Sequence, residues 1–156
     1  MKVARRGGQV TVRLAGVEAE VLAGLLGELA VALVELAEDD PVRQRLFPDG
    51  YRDDVEAAAE FRELTESSLR AQKVARLGRC RAELSAGAGR LDLDDEATGR
   101  WLTVLNDLRL ALGTRQHVTE DDEPQLDDPS NPRAQALAVY YWLTALQDLL
   151  VQAIMV

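Results

Sequence analysis

The stretch Trp101–Arg115, WLTVLNDLRLALGTR, constrains the fold more than any other part of the chain. Trp101, Val104, Leu105, Leu108 and Leu112 recur at three- and four-residue steps, which places them on one face of an α-helix, and that face has to be buried. The polar residues beside them are more than a plain core helix needs. Asn106 and Arg109 are one turn apart on a neighbouring face with Asp107 between them, and Gly113-Thr114 is expected to stop the helix, Gly113 suiting the left-handed residue just past a C-terminus. Two roles fit. Asp107 and Arg109 cap or bridge neighbouring segments while Asn106 and Thr114 satisfy backbone groups near the helix end, or Asn106, Asp107, Arg109 and Arg115 form a surface that contacts a partner.

The chain has 156 residues, 47% of them apolar, enough for one domain with its own core. Aromatics are only 4% while Leu, Ala and Val abound, the composition of a helical protein that packs aliphatic faces together. A formal charge of -9 disfavours direct nucleic-acid binding, because an acidic protein repels phosphate backbones unless it concentrates its cations in one patch. Cys80 stands alone, so no internal disulfide is possible. Met1-Lys2-Val3-Ala4-Arg5-Arg6 leads into Gly7-Gly8 without a signal-peptide pattern, so the expected location is the cytoplasm.

The pattern predicts an all-α single domain spanning 1–156, a bundle of about five helices with a small N-terminal β-hairpin. Val10-Thr11-Val12-Arg13-Leu14 alternates, and Gly7-Gly8 can turn it back on Lys2 to Arg6, which gives a hairpin within 1–15. Residues 17–37 are expected to be helical, with a leucine stripe widened by Val21, Leu26 and Val34 and therefore buried on more than one side. Asp40-Pro41 starts a short helix over 41–46, and Pro48-Asp49-Gly50 makes a turn. A long helix over 54–84 opens on the capping-box pair Asp53 and Glu56 and sorts its charges along the dipole, acids first and Arg70, Lys73, Arg76, Arg79 and Arg81 last. Those five cations spread around about half the circumference instead of forming one stripe, which weakens them as a docking patch. Ser85 to Gly89 is a flexible connector, Asp94 caps the helix over 95–112, and Gly99 inside it hints at close packing. An acidic loop over 116–130 holds Glu120, Asp121, Asp122, Glu123, Asp127 and Asp128. Asn131-Pro132 opens the last helix, 132–155, whose apolar residues nearly encircle it but are interrupted too often for a membrane span, so it is a central core helix or one shared in a homodimer.

No complete catalytic set is present. His117 is the sole histidine with no GxSxG beside it, the acidic loop lacks the alternating carboxylates and central glycine of an EF-hand, and no phosphate-binding glycine loop occurs. No metal or cofactor is therefore expected. Cys80 is the redox candidate. Leu77 and Leu84 put it on an apolar stripe, where a thiol is inert, whereas Arg76, Arg79 and Arg81 would favour the thiolate if the sulfur reached solvent. Exposure decides between the two.

The organising stretch, with Arg45-Leu46-Phe47-Pro48 and Ala59-Glu60-Phe61-Arg62-Glu63-Leu64-Thr65, resembles the actinobacterial domain-of-unknown-function family labelled oxidative-stress transcriptional regulator AosR. The resemblance runs over nearly the whole chain. It implies a non-enzymatic, all-helical cytoplasmic regulator or adaptor, tied to redox balance and cysteine supply, that contacts the transcription machinery, such as a sigma factor; the homodimer is expected from the apolar last helix instead. The family's regulator role is attached to a CxxxC pair, and Cys80 has Arg76 four residues before it and Leu84 four after, so the internal disulfide switch is unsupported here. A DNA-binding regulator using Arg70 to Arg81, and an enzyme or small-molecule binder using Asp107 and Arg109 as a charge pair, are the alternatives.

Overall fold

The computed structural model describes residues 1–48, 55–122 and 129–156, with only the helical backbone for 55–58 and 61–64. The elements in order are β1 (Lys2–Arg6), β2 (Gln9–Arg13), α1 (Gly16–Glu35), α2 (Pro41–Leu46), α3 (Val55–Gly87), β3 (Arg90–Leu93), α4 (Asp95–Arg115) and α5 (Pro132–Met155). The expected helical bundle with its N-terminal hairpin is therefore present. The capping-box pair Asp53 and Glu56 and residues 123–128 of the acidic loop fall outside the described side chains.

Gly7 and Gly8, at φ 58° and 84°, form the two-residue turn between β1 and β2. A third strand was not expected. β3 extends the sheet in the order β1-β2-β3, with Val10 opposite Leu93 and Val12 opposite Leu91, so these four side chains share the inner, buried face. Four alternating residues, Arg90-Leu91-Asp92-Leu93, are too few to stand out against a flanking helix. The segment before β3 is also no flexible connector: α3 runs on to Gly87, and Gly89, at φ 88°, accepts a 2.7 Å hydrogen bond from the Leu14 N–H. A Cβ on Gly89 would stand 2.9 Å from the Leu14 carbonyl oxygen, so glycine is required there by both conformation and space.

α4 occupies the centre and packs against all four other helices and against β2 and β3. Trp101, Val104, Leu105 and Leu108 are buried, and Asp94 caps the helix by accepting from the Ala97 N–H at 2.8 Å. The helix does not stop at Gly113 but continues to Arg115. Gly113 is helical, and a Cβ there would lie 3.1 Å from the Tyr140 ring of α5, so close packing selects the glycine. Termination falls to His117, at φ 49°: the Val118 N–H bonds the Gly113 carbonyl at 2.9 Å and the His117 N–H bonds the Thr114 carbonyl at 3.3 Å, a Schellman arrangement. Gly99, expected in a close contact, faces open space.

The outer helices bury single faces. In α1, Leu22, Leu26, Leu29 and Leu33 are buried, but Val17, Val21, Val31 and Val34 are exposed, so its broad apolar band is covered on one side only. α5 is capped by Asn131, which accepts from the Arg133 N–H at 3.0 Å. It lies along α4, β1 and β2 instead of at the centre, burying the stripe Ala134, Leu137, Leu143, Leu146 and Leu150. Although α5 is long and apolar enough to cross a membrane by length and composition, its buried stripe and the Arg5 guanidinium, which bonds the Ile154 carbonyl at 3.1 Å, tie it to the bundle.

Gly89→Ala should destabilise the fold by about 1–2 kcal/mol, the cost of a left-handed non-glycine residue. Gly99→Ala should stabilise it by about 0.5–1 kcal/mol. Urea midpoints check both, and shifts of the same sign for the two variants would contradict the assignment.

Candidate functional site

The polar residues of α4 divide by the neighbour that each one faces. Asp107 is 6% exposed and points at α3, where the Lys73 ammonium bonds its two carboxylate oxygens at 2.9 and 3.0 Å. Arg109 points at α5: its Nε donates to Thr144 Oγ1 at 3.0 Å and its Nη1 to Gln147 Oε1 at 2.6 Å, with the guanidinium 5.4 Å from the Tyr140 ring centroid. These two residues bridge segments, as the structural alternative supposes. Asn106 and Arg115 are exposed and form no hydrogen bond among the described residues. Asn106 therefore does not satisfy a backbone group. Nine residues separate these two on a helix that turns about 100° per residue, so they project to opposite sides, and Arg115 stands with Leu25 and Glu28 of α1 around a small hollow. The four residues expected as one contact surface are thus not brought together.

The cations of α3 divide in the same way. Arg70 donates to the Leu33 carbonyl at 2.8 Å and to Glu66 at 3.2 Å, and stacks 5.0 Å from the Phe47 ring; Glu66 also receives Arg43 at 2.9 Å. Arg43 and Arg70 thereby satisfy carbonyls at the C-terminal end of α1, since Arg43 donates to Leu36 at 2.9 Å. Arg79 pairs loosely with Glu96, and Arg76 and Arg81 form no ion pair among the described residues. Sequence reasoning missed the role of Glu83, which accepts from Trp101 Nε1 at 2.7 Å and from Arg100. The signal for it was a buried tryptophan that needs an acceptor.

Cys80 is fully buried, beside this Glu83–Arg100 pair. Burial pushes its thiol up to about 12, the Glu83 carboxylate adds to the rise and Arg100 opposes it. Exposure thus favours the packed thiol over the thiolate. His117 is exposed, and no group of three or more metal-ligating side chains occurs among the described residues.

A family model described as "Domain of unknown function (DUF2017)" matches residues 1–154. The chain belongs to the DUF2017 family. Among curated relatives, the "Oxidative stress regulator AosR" of Mycobacterium tuberculosis is 34% identical over 130 residues, covering 74% of this chain and 59% of that protein. The "Putative oxidative stress regulator AosR" of Mycobacterium leprae is 33% identical over 132 residues, covering 75% of this chain and 59% of its own length. The DUF2017 chain therefore spans less than two thirds of the relatives it matches. No solved structure matches it.

In this DUF2017 chain the Lys73 and Asp107 side chains are 11% and 8% exposed, so each is the partner that replaces much of the other's lost hydration. Asp107→Ala should cost about 3–5 kcal/mol by leaving the ammonium buried and unpaired, and the double variant Lys73→Met/Asp107→Leu should recover most of that loss. Chemical denaturation of wild type, Asp107→Ala and the double variant checks it; a single-variant loss below about 1 kcal/mol would mean that the pair is solvated. Cys80 should resist a thiol reagent in native buffer and react once denaturant is added, and equal rates in the two conditions would place the sulfur in solvent.

Proposed function

We propose that this chain is a regulatory protein of the oxidative-stress response that works by contact with another protein and not by catalysis. The observation that carries the reading is the 34% identity to proteins named oxidative stress regulators. The geometry supports it in one respect: the acids and bases drawn into the interior, Lys73 with Asp107, Glu66 with Arg43 and Arg70, and Glu83 with Arg100, are held against one another. Groups so paired fix the packing and are poorly placed to turn over a substrate. The proposed setting is the cytoplasm and the proposed partner a component of the transcription machinery such as a sigma factor, with genes of redox balance and cysteine supply as the output.

Of the four expected contact residues, Asn106 and Arg115 are exposed on opposite sides of α4 and free to meet a partner, whereas Asp107 and Arg109 position that helix. The proposed homodimer has the exposed valines of α1 available: Val17, Val31 and Val34 lie in solvent. Because Cys80 is buried and unpaired, the contact does not require an internal disulfide.

The test is a strain lacking the gene, exposed to peroxide, with transcripts of redox and cysteine-synthesis genes measured. Wild type and Cys80→Ala should both restore the peroxide response, and Asn106→Ala/Arg115→Ala should restore it poorly while folding normally by circular dichroism. A response unchanged by deletion of the gene would remove the regulatory reading.

A further inference from the structure

The outer face of the three-stranded sheet gathers cations in a way that the stability of the fold does not require. Strand alternation turns Lys2, Ala4 and Arg6 of β1, Thr11 and Arg13 of β2, and Arg90 and Asp92 of β3 to this side. The register then sets Lys2 opposite Arg13 and Arg13 opposite Arg90, so three positive side chains stand in one row across the sheet. Like charges directly opposite on neighbouring strands are destabilising. The one carboxylate in the patch, Asp92, is held by Arg90 at 2.8 and 3.0 Å and by the Thr11 hydroxyl at 2.7 Å. The side chains of Lys2, Arg6 and Arg13 are exposed and form no hydrogen bond or ion pair among the described residues, Arg13 lying only within electrostatic reach of Asp92. Together with Ala4, Thr11 and Arg90 they line a shallow hollow of about 320 Å³. The chain as a whole carries 27 acids against 18 bases, so this clustering runs against its average charge.

We propose that this face binds a short, extended, acidic segment of a protein partner, a reading that rests on the chain acting by protein contact and names the chemistry of what it contacts. Dimensions and charge both favour such an occupant. The row across three strands is roughly 10 Å wide and Lys2 lies roughly 13 Å from Arg6 along β1, which matches carboxylates four residues apart in an extended chain. Ala4, between them, is small enough to let that chain lie close. Nucleic acid fits less well. The face presents no aromatic ring on which a base could stack, and the chain's net charge of -9 disfavours a polyanion longer than the patch.

The experiment measures fluorescence anisotropy of a short fluorescein-labelled peptide of alternating glutamate and serine, with an oligothymidine and a DNA duplex of similar length as competitors. The wild-type chain should bind the peptide with an affinity that falls as salt is raised. Lys2→Gln/Arg6→Gln/Arg13→Gln should weaken binding roughly tenfold or more while its melting temperature holds or rises, as cross-strand repulsion is relieved. Arg76→Gln/Arg81→Gln, which removes two unpaired cations elsewhere, should bind as wild type. If the triple variant melts early, Lys2→Gln/Arg6→Gln, confined to the edge strand, carries the same expectation. No peptide binding by wild type, equal binding by the sheet variants, or tighter binding of either oligonucleotide would overturn the proposal. The two readings fail separately: absent peptide binding with an intact transcript response removes this site alone, and peptide binding without a transcript response removes the regulatory role alone.

Discussion

The Lys73–Asp107 ion pair is what allows α4 to carry a carboxylate at the centre of the fold. A helix surrounded on most sides has little water left for its polar side chains, and Asp107 lies on a buried face. A lone carboxylate there would have to be neutralised or the helix moved outward; a cation from α3 at 2.9 Å removes the conflict. The neighbouring contacts extend the same solution. Arg109 reaches α5, Trp101 and Arg100 reach Glu83 on α3, and Arg43 and Arg70 meet at Glu66 and close the end of α1. Apolar burial is non-directional, and helices faced with leucine, alanine and valine can slide along one another at small cost. Ion pairs and hydrogen bonds of fixed geometry select one alignment from those the aliphatic faces permit.

Much of this architecture is legible in the sequence, and the exceptions share a cause. The long periodic segments and their caps at Asp40, Asp94 and Asn131 are local signals; the three caps stand where the pattern puts them, while α3 and α4 each run three residues past the expected end. Gly113 misleads because glycine has two uses near a helix end, and the one that applies depends on Tyr140, a residue of another helix. The width of the α1 stripe misleads because apolar breadth does not say how many neighbours arrive to cover it. In the candidate site, the surplus of polar residues on α4 is visible, but the partners are not: Lys73 is 34 residues from Asp107 and Thr144 is 35 from Arg109. No local periodicity encodes such pairings. They follow from helix register, which is settled only in three dimensions.

The same distinction governs charge. The cations of α3 are conspicuous in the sequence, yet Arg70 and Lys73 are used internally and Arg79 meets Glu96. The cations of the sheet are inconspicuous because they come singly from three strands, and only strand pairing lines them up. Cys80 follows the same logic in reverse. Arg76, Arg79 and Arg81 lie near it in sequence, but the guanidinium that acts on it most is Arg100 of α4, already answered by Glu83, with Arg79 a lesser influence. The electrostatic environment of the thiol is therefore set first by burial and by the Glu83–Arg100 pair, and of the run of arginines around it Arg79 adds a smaller effect.

The pairing of β2 with β3 couples the sheet to the history of the chain. Thr11 and Asp92 are 81 residues apart, and α1, α2 and α3 all lie in the loop that their pairing closes. Closing so long a loop has an entropic cost that a four-residue strand cannot offset alone, so β3 is expected to dock only when those helices have already folded back and brought its ends near. During synthesis β1 and β2 precede β3 by the length of three helices, so the hairpin waits without its third strand. The row that Lys2 and Arg13 begin is completed by Arg90 only then, so the finished electropositive face is a property of the completed tertiary structure and would be lost on partial unfolding, when the separated strands carry scattered charges.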